Sequence, residues 1–552
     1  MTLRSQVTRA IADARDRAVA SGALALPVGA SLPAIGLERP ANPDHGDWAS
    51  NAAMQLAPVV RSSPMSIAQA LRDHFQPPAA IAEVSVAAPG FLNFRLDPSW
   101  VADQVGPILA AGASFGHGTA ERALRVDVEF VSANPTGPLH VGNARGAFIG
   151  DVLSRVLTAA GHQVTREYYF NDFGAQVKAL GASVRALRAG TPLPEDGYRG
   201  AYVEEMATSV PAEVAADAEA APDDDAADWV YGRWASEVQR VGIESSLASL
   251  GVEFDVWKTE SSVHDEGWVE RGVEALRAGG HVYEDEGATW FRSTAFGDDK
   301  DRVIYRSNGQ PTYFAADIGY VTEKFSRGHD ELIYVWGENH HGAVARLKNA
   351  AQALGHDADA VRVLLYSWVR FVREGQPVSM SKRSGDFITL DDLMAEVGTD
   401  AVRWSFSSRA FTGGIDFDLE LAKRQSNENP VYYVQYAHAR ASSILRSAAQ
   451  EGIAPDSTRT GELLVHPSEQ ALVRHLLDLP DTIATAAERR ETHEVARHAY
   501  ELASAFSAFY RDCKVLGEEA ALTGARLALV DASRSVLANS LGLLGISAPD
   551  SM

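Results

Sequence analysis

VSANPTGPLHVGNARGAFIGD, residues 131–151, is a Pro/Gly-rich loop running into a helix, and its flanks show what it connects. Upstream, Leu124, Val126, Val128 and Phe130 alternate with Arg125, Asp127 and Glu129, the period-two pattern of a strand with one buried face. Downstream, Phe148, Ile149, Val152, Leu153, Val156 and Leu157 recur at helical spacing as far as Gly161, and residues 164–170 read as a second strand. A right-handed strand–helix–strand crossover puts the loop and the helix N-terminus at the carboxyl edge of a parallel sheet, where ligands bind. Pro135, Gly137, Pro138 and Gly142 stiffen the loop and allow close backbone approach, and the N–H groups opening the helix attract phosphate. His140 stands either as a donor to a phosphate oxygen or as an ordinary loop residue.

At 552 residues the chain exceeds one core and predicts three or four domains. A formal charge of -23 argues against a protein that coats nucleic acid through clustered Lys and Arg, but leaves room for specific RNA contact on a local basic or aromatic face. Cys513 is the single cysteine, which excludes intrachain disulfides and cysteine-built zinc sites and fits a reducing compartment. No apolar run has the length of a signal core or a membrane span, so the expectation is a soluble, cytoplasmic protein.

Residues 1–115 read as a small α/β unit. Ile11, Ala12, Ala14, Ala18 and Val19 suit an opening helix, while residues 81–87 and 91–96 suit two strands hinged at Pro89 and Gly90. In PDHGDWASNAAMQLA, His45-Gly46-Asp47 suits a turn before a helix capped at Ser50 or Asn51. Beyond the second strand of the crossover, Asn171, Asp172, Gly174 and Gln176 lie in a loop at the same sheet edge, as ligand contacts or as a turn pair. Residues 204–228 hold nine acidic residues and no Lys or Arg, which reads as a solvated helical insertion or a flexible loop. A helical pattern covers 229–276, and strands with a Ser307-Asn308-Gly309 turn follow. Tyr313 and Asp317 enter the next helix, Asp317 either facing a cationic ligand or capping the helix. A strand over 332–336, a glycine turn and a helix from about His341 come next; His340 and His341 are neighbours without carboxylate or Cys at ligand spacing, so no metal is expected. Residues 426–552 are helical, broken at Pro430, Pro467, Pro480 and Gly517, and set Tyr432, Tyr436 and Arg440 on one face, as core or as a platform for bases.

Two strings about 240 residues apart carry a resemblance. HVGN, residues 140–143, resembles the His-x-Gly-His signature of class I aminoacyl-tRNA synthetases, and SANPTGPLHVGNARG resembles specifically the arginyl enzymes. Asn143 stands where that pattern has its second His; its amide can donate a hydrogen bond but carries no charge. Met380-Ser381-Lys382-Arg383-Ser384 resembles the KMSKS loop, with Ser379 replacing the first lysine. A lysine between small residues and followed by Gly385 can swing onto phosphate, and Thr389-Leu390-Asp391-Asp392 reads as a capping box starting a helix. PDHGDWASNAAMQLA and GFLNFRL resemble the N-terminal domain of arginyl synthetases, and NPVYYVQYAHAR the first helix of their anticodon-binding domain. No P-loop or dinucleotide-binding glycine pattern competes.

The resemblance implies a multidomain α/β plus α protein: a Rossmann-like parallel-sheet catalytic domain with an N-terminal α/β domain and a C-terminal all-helical anticodon-binding bundle. Its divisions are 1–115, tRNA-contacting; 116–375, catalytic, with a helical insertion at about 175–285; 376–425, the KMSKS loop and stem-contact region; and 426–552, anticodon-binding. It implies an arginine–tRNA ligase using ATP with Mg2+ and no structural metal, acting on L-arginine and tRNA(Arg), and a monomer. His140, Asn143 and Lys382 are the catalytic candidates. ATP would meet Pro135, Thr136, Gly137, Pro138, Leu139, His140, Val141, Gly142, Asn143, Gly337, His340, Met380, Ser381 and Lys382. Arginine would meet Glu129, Ser132, Asn134, Tyr313, Asp317 and His341, since a guanidinium suits paired oxygen acceptors. tRNA would meet Asn51, Asn93, Tyr432, Tyr436 and Arg440. Two other outcomes are a tRNA-independent adenylating ligase of the same fold and a non-catalytic arginine- or tRNA-binding descendant.

Overall fold

The computed structural model describes residues 2–27, 29–40, 42–373, 375–378 and 389–552. The strands in chain order are β1 (Trp48–Ser50), β2 (Ile81–Ala87), β3 (Phe91–Leu96), β4 (Arg125–Phe130), β5 (Gln163–Phe170), β6 (Val256–Thr259), β7 (Val282–Asp285), β8 (Ala288–Phe291), β9 (Arg302–Tyr305), β10 (Glu331–Gly337), β11 (Val361–Tyr366), β12 (Val369–Arg373), β13 (Gln376–Pro377) and β14 (Ile415–Asp418).

The central sheet runs β11-β10-β4-β5-β6, every neighbouring pair parallel. The predicted crossover from β4 to β5 is made by the helix Val141–Ala160, which Gly161 ends in the left-handed conformation. β4 is buried on both faces beyond Arg125, as expected of a strand at the centre of a parallel sheet covered on two sides. Its buried residues nevertheless include Asp127 and Glu129, an exception taken up below.

The helical pattern expected over 229–276 is interrupted. One helix spans Asp224–Ser249, and Val256–Thr259 is β6, the edge strand of the catalytic sheet, pairing Glu167–Phe170. β6 has only four residues, all half-buried, too few to show a period of two against the helices on either side. The insertion expected at about 175–285 therefore contains a strand of the sheet. Its helices up to Ser249 surround a small core of their own, with Leu180, Val184, Val203, Met206 and Tyr231. The acidic segment is helical, over Ala201–Ser209, Ala212–Glu219 and the start of Asp224–Ser249. Its alanines Ala215, Ala218 and Ala227 turn inward, and Asp228 is tied to Arg185 at 2.7 Å. β7, β8 and β9 form an antiparallel sheet, leading to the helix Tyr313–Ser326.

The N-terminal unit is a β1-β3-β2 antiparallel sheet covered by the helices Leu3–Ala20, Ala52–Val60 and Pro64–His74. The C-terminal unit packs Pro430–Gln450, Pro467–Leu477, Leu479–Arg489, His493–Asp512 and Ala520–Leu543, with each proline named above in the first two positions of its helix, where its missing N–H costs nothing. One connected set of buried apolar side chains runs from Val7 through Phe130 and Phe148 to Ile546. The N-terminal unit also bonds directly to the C-terminal one, through Asp47–Arg474 at 2.7 Å and Asp103 to the Gly461 N–H at 2.7 Å. Among the described residues no helix is long and apolar enough to cross a membrane.

Candidate active site

A trough of about 860 Å3 opens at the carboxyl edge of β4 and β10. One wall is the loop that leaves β4. Its first residues turn sharply: Val131 has φ 67°, and the Ser132 N–H donates to the Phe130 carbonyl at 3.0 Å, closing a γ-turn of the strained hand. A β-branched residue there is costly, and the cost is offset by what the turn places. Ser132 Oγ donates to Glu129 at 3.1 Å and accepts from the Tyr169 N–H at 3.1 Å, and Ala133 exchanges two 3.0 Å bonds with the Tyr168 hydroxyl. Further along, Asn134 bonds Gln176 at 2.7 Å, and the Tyr202 hydroxyl donates to the Thr136 carbonyl at 2.9 Å.

The loop ends at His140, the N-cap of the helix Val141–Ala160. Its Nδ1 accepts from the Gly142 N–H at 3.0 Å, while Asn143 Oδ1 accepts from the His140 N–H at 3.1 Å. A ring accepting at Nδ1 in its neutral form carries its proton on Nε2. Burial lowers the His140 pKa, so that neutral Nε2–H form prevails at pH 7. Asn143 thus has a task that needs no positive charge: its amide oxygen closes the reciprocal cap.

Residues that follow the second signature in the chain meet the first. Thr389 pairs with His140 as an isolated antiparallel bridge, and the Leu390 N–H donates to the Leu139 carbonyl at 2.9 Å. The capping box expected at 389–392 is present, Thr389 Oγ1 accepting from the Asp392 N–H at 3.1 Å and Asp392 accepting from the Thr389 N–H at 3.0 Å. Ser379, Met380, Ser381, Lys382 and Arg383 themselves lie outside the described residues.

At the opposite wall stand Gly337, the last residue of β10, and Glu338, Asn339 and His340 just past it, with His340 near Trp336, ring centres 6.0 Å apart. The floor holds Glu129, Asp317, Tyr169, Tyr320 and Tyr334. Asp317 lies inside the helix Tyr313–Ser326 and caps nothing; Thr312 is in the N-cap position. Solvent reaches its side chain through the trough, yet the depth of surrounding protein, with Glu129 adding, pushes its carboxyl up to about 7 while Arg346 pulls it down. Behind Tyr169, buried Glu260 is likewise pushed up to about 7 by burial, its bond to Tyr169 opposing the shift.

Of the expected ATP and arginine contacts, Glu129, Ser132, Asn134, Thr136, Gly137, Pro138, Leu139, His140, Gly142, Asn143, Asp317, Gly337 and His340 line this one trough. Pro135 and Val141 are buried beside it. Tyr313, 73% exposed, and His341, at the start of the helix His341–Ala353, are not among its lining residues. Among the expected tRNA contacts, Tyr432 and Tyr436 stack with ring centres 6.1 Å apart and planes 9° from parallel, and Arg440 lies 4.7 Å over Tyr436 and 4.8 Å over Tyr510. That stack is half-buried on the surface of its helix. Asn51 is half-exposed in the N-cap position of Ala52–Val60, but Asn93 is buried in β3, the middle strand, and cannot meet an RNA there.

Sequence reasoning missed the aromatic floor, Tyr169, Tyr320 and Tyr334, and two buried cations. Arg145 reaches from the signature helix to the carbonyls of Ser367 at 2.7 Å and Gly413 at 2.8 Å. Lys324, with no exposed side chain, bonds Asp127 and Glu129 at 2.8 Å each. The signal for Lys324 was an odd one: two acids, Asp127 and Glu129, on alternate positions of a strand buried on both faces.

The known proteins agree across the chain. A family model described as "Arginyl tRNA synthetase N terminal domain" matches residues 1–96, "tRNA synthetases class I (R), catalytic domain" matches 104–192 and 233–405, and "DALR anticodon binding domain" matches 434–552. The chain is 46% identical to an arginine–tRNA ligase of Frankia alni over 98% of its own length and 99% of the relative's. It is 45% identical to one of Desulforudis audaxviator, over 100% and 99%. Its structure is similar to that of Thermus thermophilus arginyl-tRNA synthetase, with a TM-score of 0.79, 26% identity and full coverage of both chains.

Proposed function

This chain belongs to the arginyl-tRNA synthetase family, and from that premise we propose that it is an arginine–tRNA ligase, activating L-arginine with ATP and passing the arginyl group to the 3′-terminal ribose of tRNA(Arg). The observation that carries the reading is that the first signature, with His140 paired to Thr389, borders a trough whose floor is acidic and aromatic.

In this reading arginine lies with its guanidinium toward Glu129 and Asp317 and its carboxylate toward the loop. One carboxylate oxygen attacks the α-phosphorus of ATP in line; the new P–O bond replaces the bond to the β-phosphate, and pyrophosphate leaves. The ribose hydroxyl then attacks the arginyl carbonyl carbon, the bond from that carbon to the phosphate oxygen breaks, and AMP leaves as the hydroxyl proton passes to its phosphate or to water. No protein nucleophile takes part. The chain contributes positioning and donors for growing charge, His140 Nε2–H and the N–H groups of the helix start, with Lys382 proposed as a further donor. Neutral His140 serves as a hydrogen-bond donor rather than as a counter-charge. Mg2+ enters bound to the ATP phosphates.

We assign the Tyr432–Tyr436–Arg440 stack to anticodon bases, since stacked aromatics beside a guanidinium accept unpaired bases, and Asn51 to the N-terminal tRNA contact. Residues 431–552 hold 11 Lys and Arg against 15 Asp and Glu, so recognition there rests on this patch and not on overall charge. The working form is proposed to be a cytoplasmic monomer. Arginine-dependent exchange of pyrophosphate into ATP, run with and without tRNA and with lysine as control, tests the assignment. Exchange with arginine alone among the amino acids, and only with tRNA present, is expected. Exchange without tRNA would mean a free-standing adenylating ligase, and binding of arginine without any exchange a non-catalytic descendant.

A further inference from the structure

Beneath the arginine end of the trough lies a buried ionic cluster. Asp127 and Glu129, two apart on β4, and Glu167 on β5 are all buried carboxylates on the side facing the helix Tyr313–Ser326. Lys324, near the end of that helix, sends its ammonium among them: 2.8 Å to Asp127 Oδ1, 2.8 Å to Glu129 Oε2 and 3.5 Å to Glu167 Oε1. An ammonium has three N–H bonds, and each of the three has a carboxylate to point at. The rings of Tyr320 and Tyr334 flank the nitrogen at 4.6 and 4.4 Å. Arg327 takes up Glu167 at 2.6 Å from the outer side.

Of the three acids only Glu129 lines the trough. Its two oxygens are held separately, Oε2 by Lys324 and Oε1 by the Ser132 hydroxyl at 3.1 Å. Two donors at the two oxygens fix the plane of the carboxylate as well as its place. A guanidinium is a planar fork whose paired N–H bonds need a carboxylate in a set plane, whereas an ammonium accepts a carboxylate in almost any orientation.

We propose that Lys324 is a positioning residue for amino-acid choice: by clamping Glu129 from behind it presents a carboxylate of fixed plane to the trough, and so favours arginine over lysine and ornithine. This deepens the arginine–tRNA ligase reading and rests on its assignment of Glu129 to the guanidinium. The lysine touches no substrate; it acts through Glu129.

The test uses the full chain and two variants. Lys324→Met alone would strand carboxylates in the interior and is expected to unfold part of the chain, so it is paired with Asp127→Asn, which removes one charge of each sign; Lys324→Gln is the second. Calorimetry measures the binding of arginine, lysine and ATP separately, and thermal unfolding reports whether each variant is folded. In the folded variants arginine binding is expected to weaken about tenfold or more, lysine binding to change by less than about threefold, and ATP binding by less than about twofold, the pattern of a lost bidentate contact. Folded variants that keep the arginine-to-lysine ratio, or lose arginine and ATP in parallel, would overturn the proposal and leave Lys324 as internal support. Failure of the ligase reading would show elsewhere, as arginine bound by the unaltered chain without pyrophosphate exchange.

Discussion

Gly142 is small because an imidazole occupies the space beside it. A Cβ there would lie 2.7 Å from His140 Cε1 and 2.8 Å from Nδ1, while the backbone at 142 has no left-handed φ that would by itself demand glycine. Gly142→Ala is therefore expected to push the ring off its cap and misdirect Nε2–H, lowering exchange about a hundredfold, the worth of one preorganised donor, with unfolding shifted by no more than about 1 kcal/mol. Rate and urea midpoint measured on the same preparation check it; equal losses in both would mean that the loop itself had collapsed. Asp317 gives the second expectation at this scale. Burial pushes its carboxyl up to about 7, as it does that of Glu260 behind Tyr169, and in the proposed reading the guanidinium binds ionised Asp317. Bound arginine holds the protons off, so its affinity should rise between pH 6 and pH 8, by at most about tenfold per unit for each proton released, and binding should release protons to the buffer. Calorimetry in two buffers of different ionisation enthalpy measures that release, and Asp317→Asn should diminish it. The same raised values act on folding with the opposite sense: the native chain binds more protons than the unfolded one between about pH 4 and pH 7, so these two groups contribute stability that is lost as the pH rises through 7.

The helix Val141–Ala160 lies against the sheet closely because of its glycines. At Gly150 a Cβ would come within 2.1 Å of the Phe130 ring, and at Gly146 within 2.9 Å of Tyr366. Gly150→Ala, which would gain helix propensity on a surface, is expected to cost about 3 kcal/mol or more here, since Phe130 is wholly buried and has nowhere to turn. A urea titration followed by tryptophan fluorescence reads that cost; a midpoint unchanged from the parent would show that helix and strand can separate slightly. This element and its strands were legible in the sequence because their periods are strong and Gly161 marks the helix end. β6 was not, being four half-buried residues between helices. The trough-facing loop was legible as a ligand loop from its residue types, yet the cap between His140 and Asn143 was not, because it depends on which atoms face each other. Lys324 was illegible for a different reason: its partners come from two strands, one nearly two hundred residues earlier and the other about 160, and a lysine in an amphipathic helix ordinarily points to solvent.

Across the whole molecule, segments later in the chain are joined to the catalytic sheet by buried charge as well as by apolar packing. Asp151 on the signature helix receives Arg403 at 2.9 Å and Arg155 at 2.9 Å, with Arg403 wholly buried over the Phe148 ring. Farther out, Arg490, in the left-handed conformation that ends the helix Leu479–Arg489, reaches Glu331 at the start of β10. Both side chains of that pair are 6% exposed, and Arg362 meets the other oxygen of Glu331 at 2.9 Å. A desolvated ion pair adds little net stability when intact, because desolvation consumes most of the attraction, but deletion of one partner leaves a buried charge behind. Arg490→Met should therefore cost about 3 kcal/mol, at the lower end of such deletions because Arg362 still covers Glu331. β10 carries at its other end Gly337, which we propose meets the nucleotide, so the location of the loss matters as much as its size. If β10 is held mainly by its pairing with β4 and β11, the variant retains its affinity for ATP and loses only global stability, and this is the expected result. Urea unfolding and ATP calorimetry on Arg490→Met distinguish the two. A folded variant with weakened ATP binding would mean that the C-terminal domain sets the position of β10, and through it the geometry of the proposed nucleotide site.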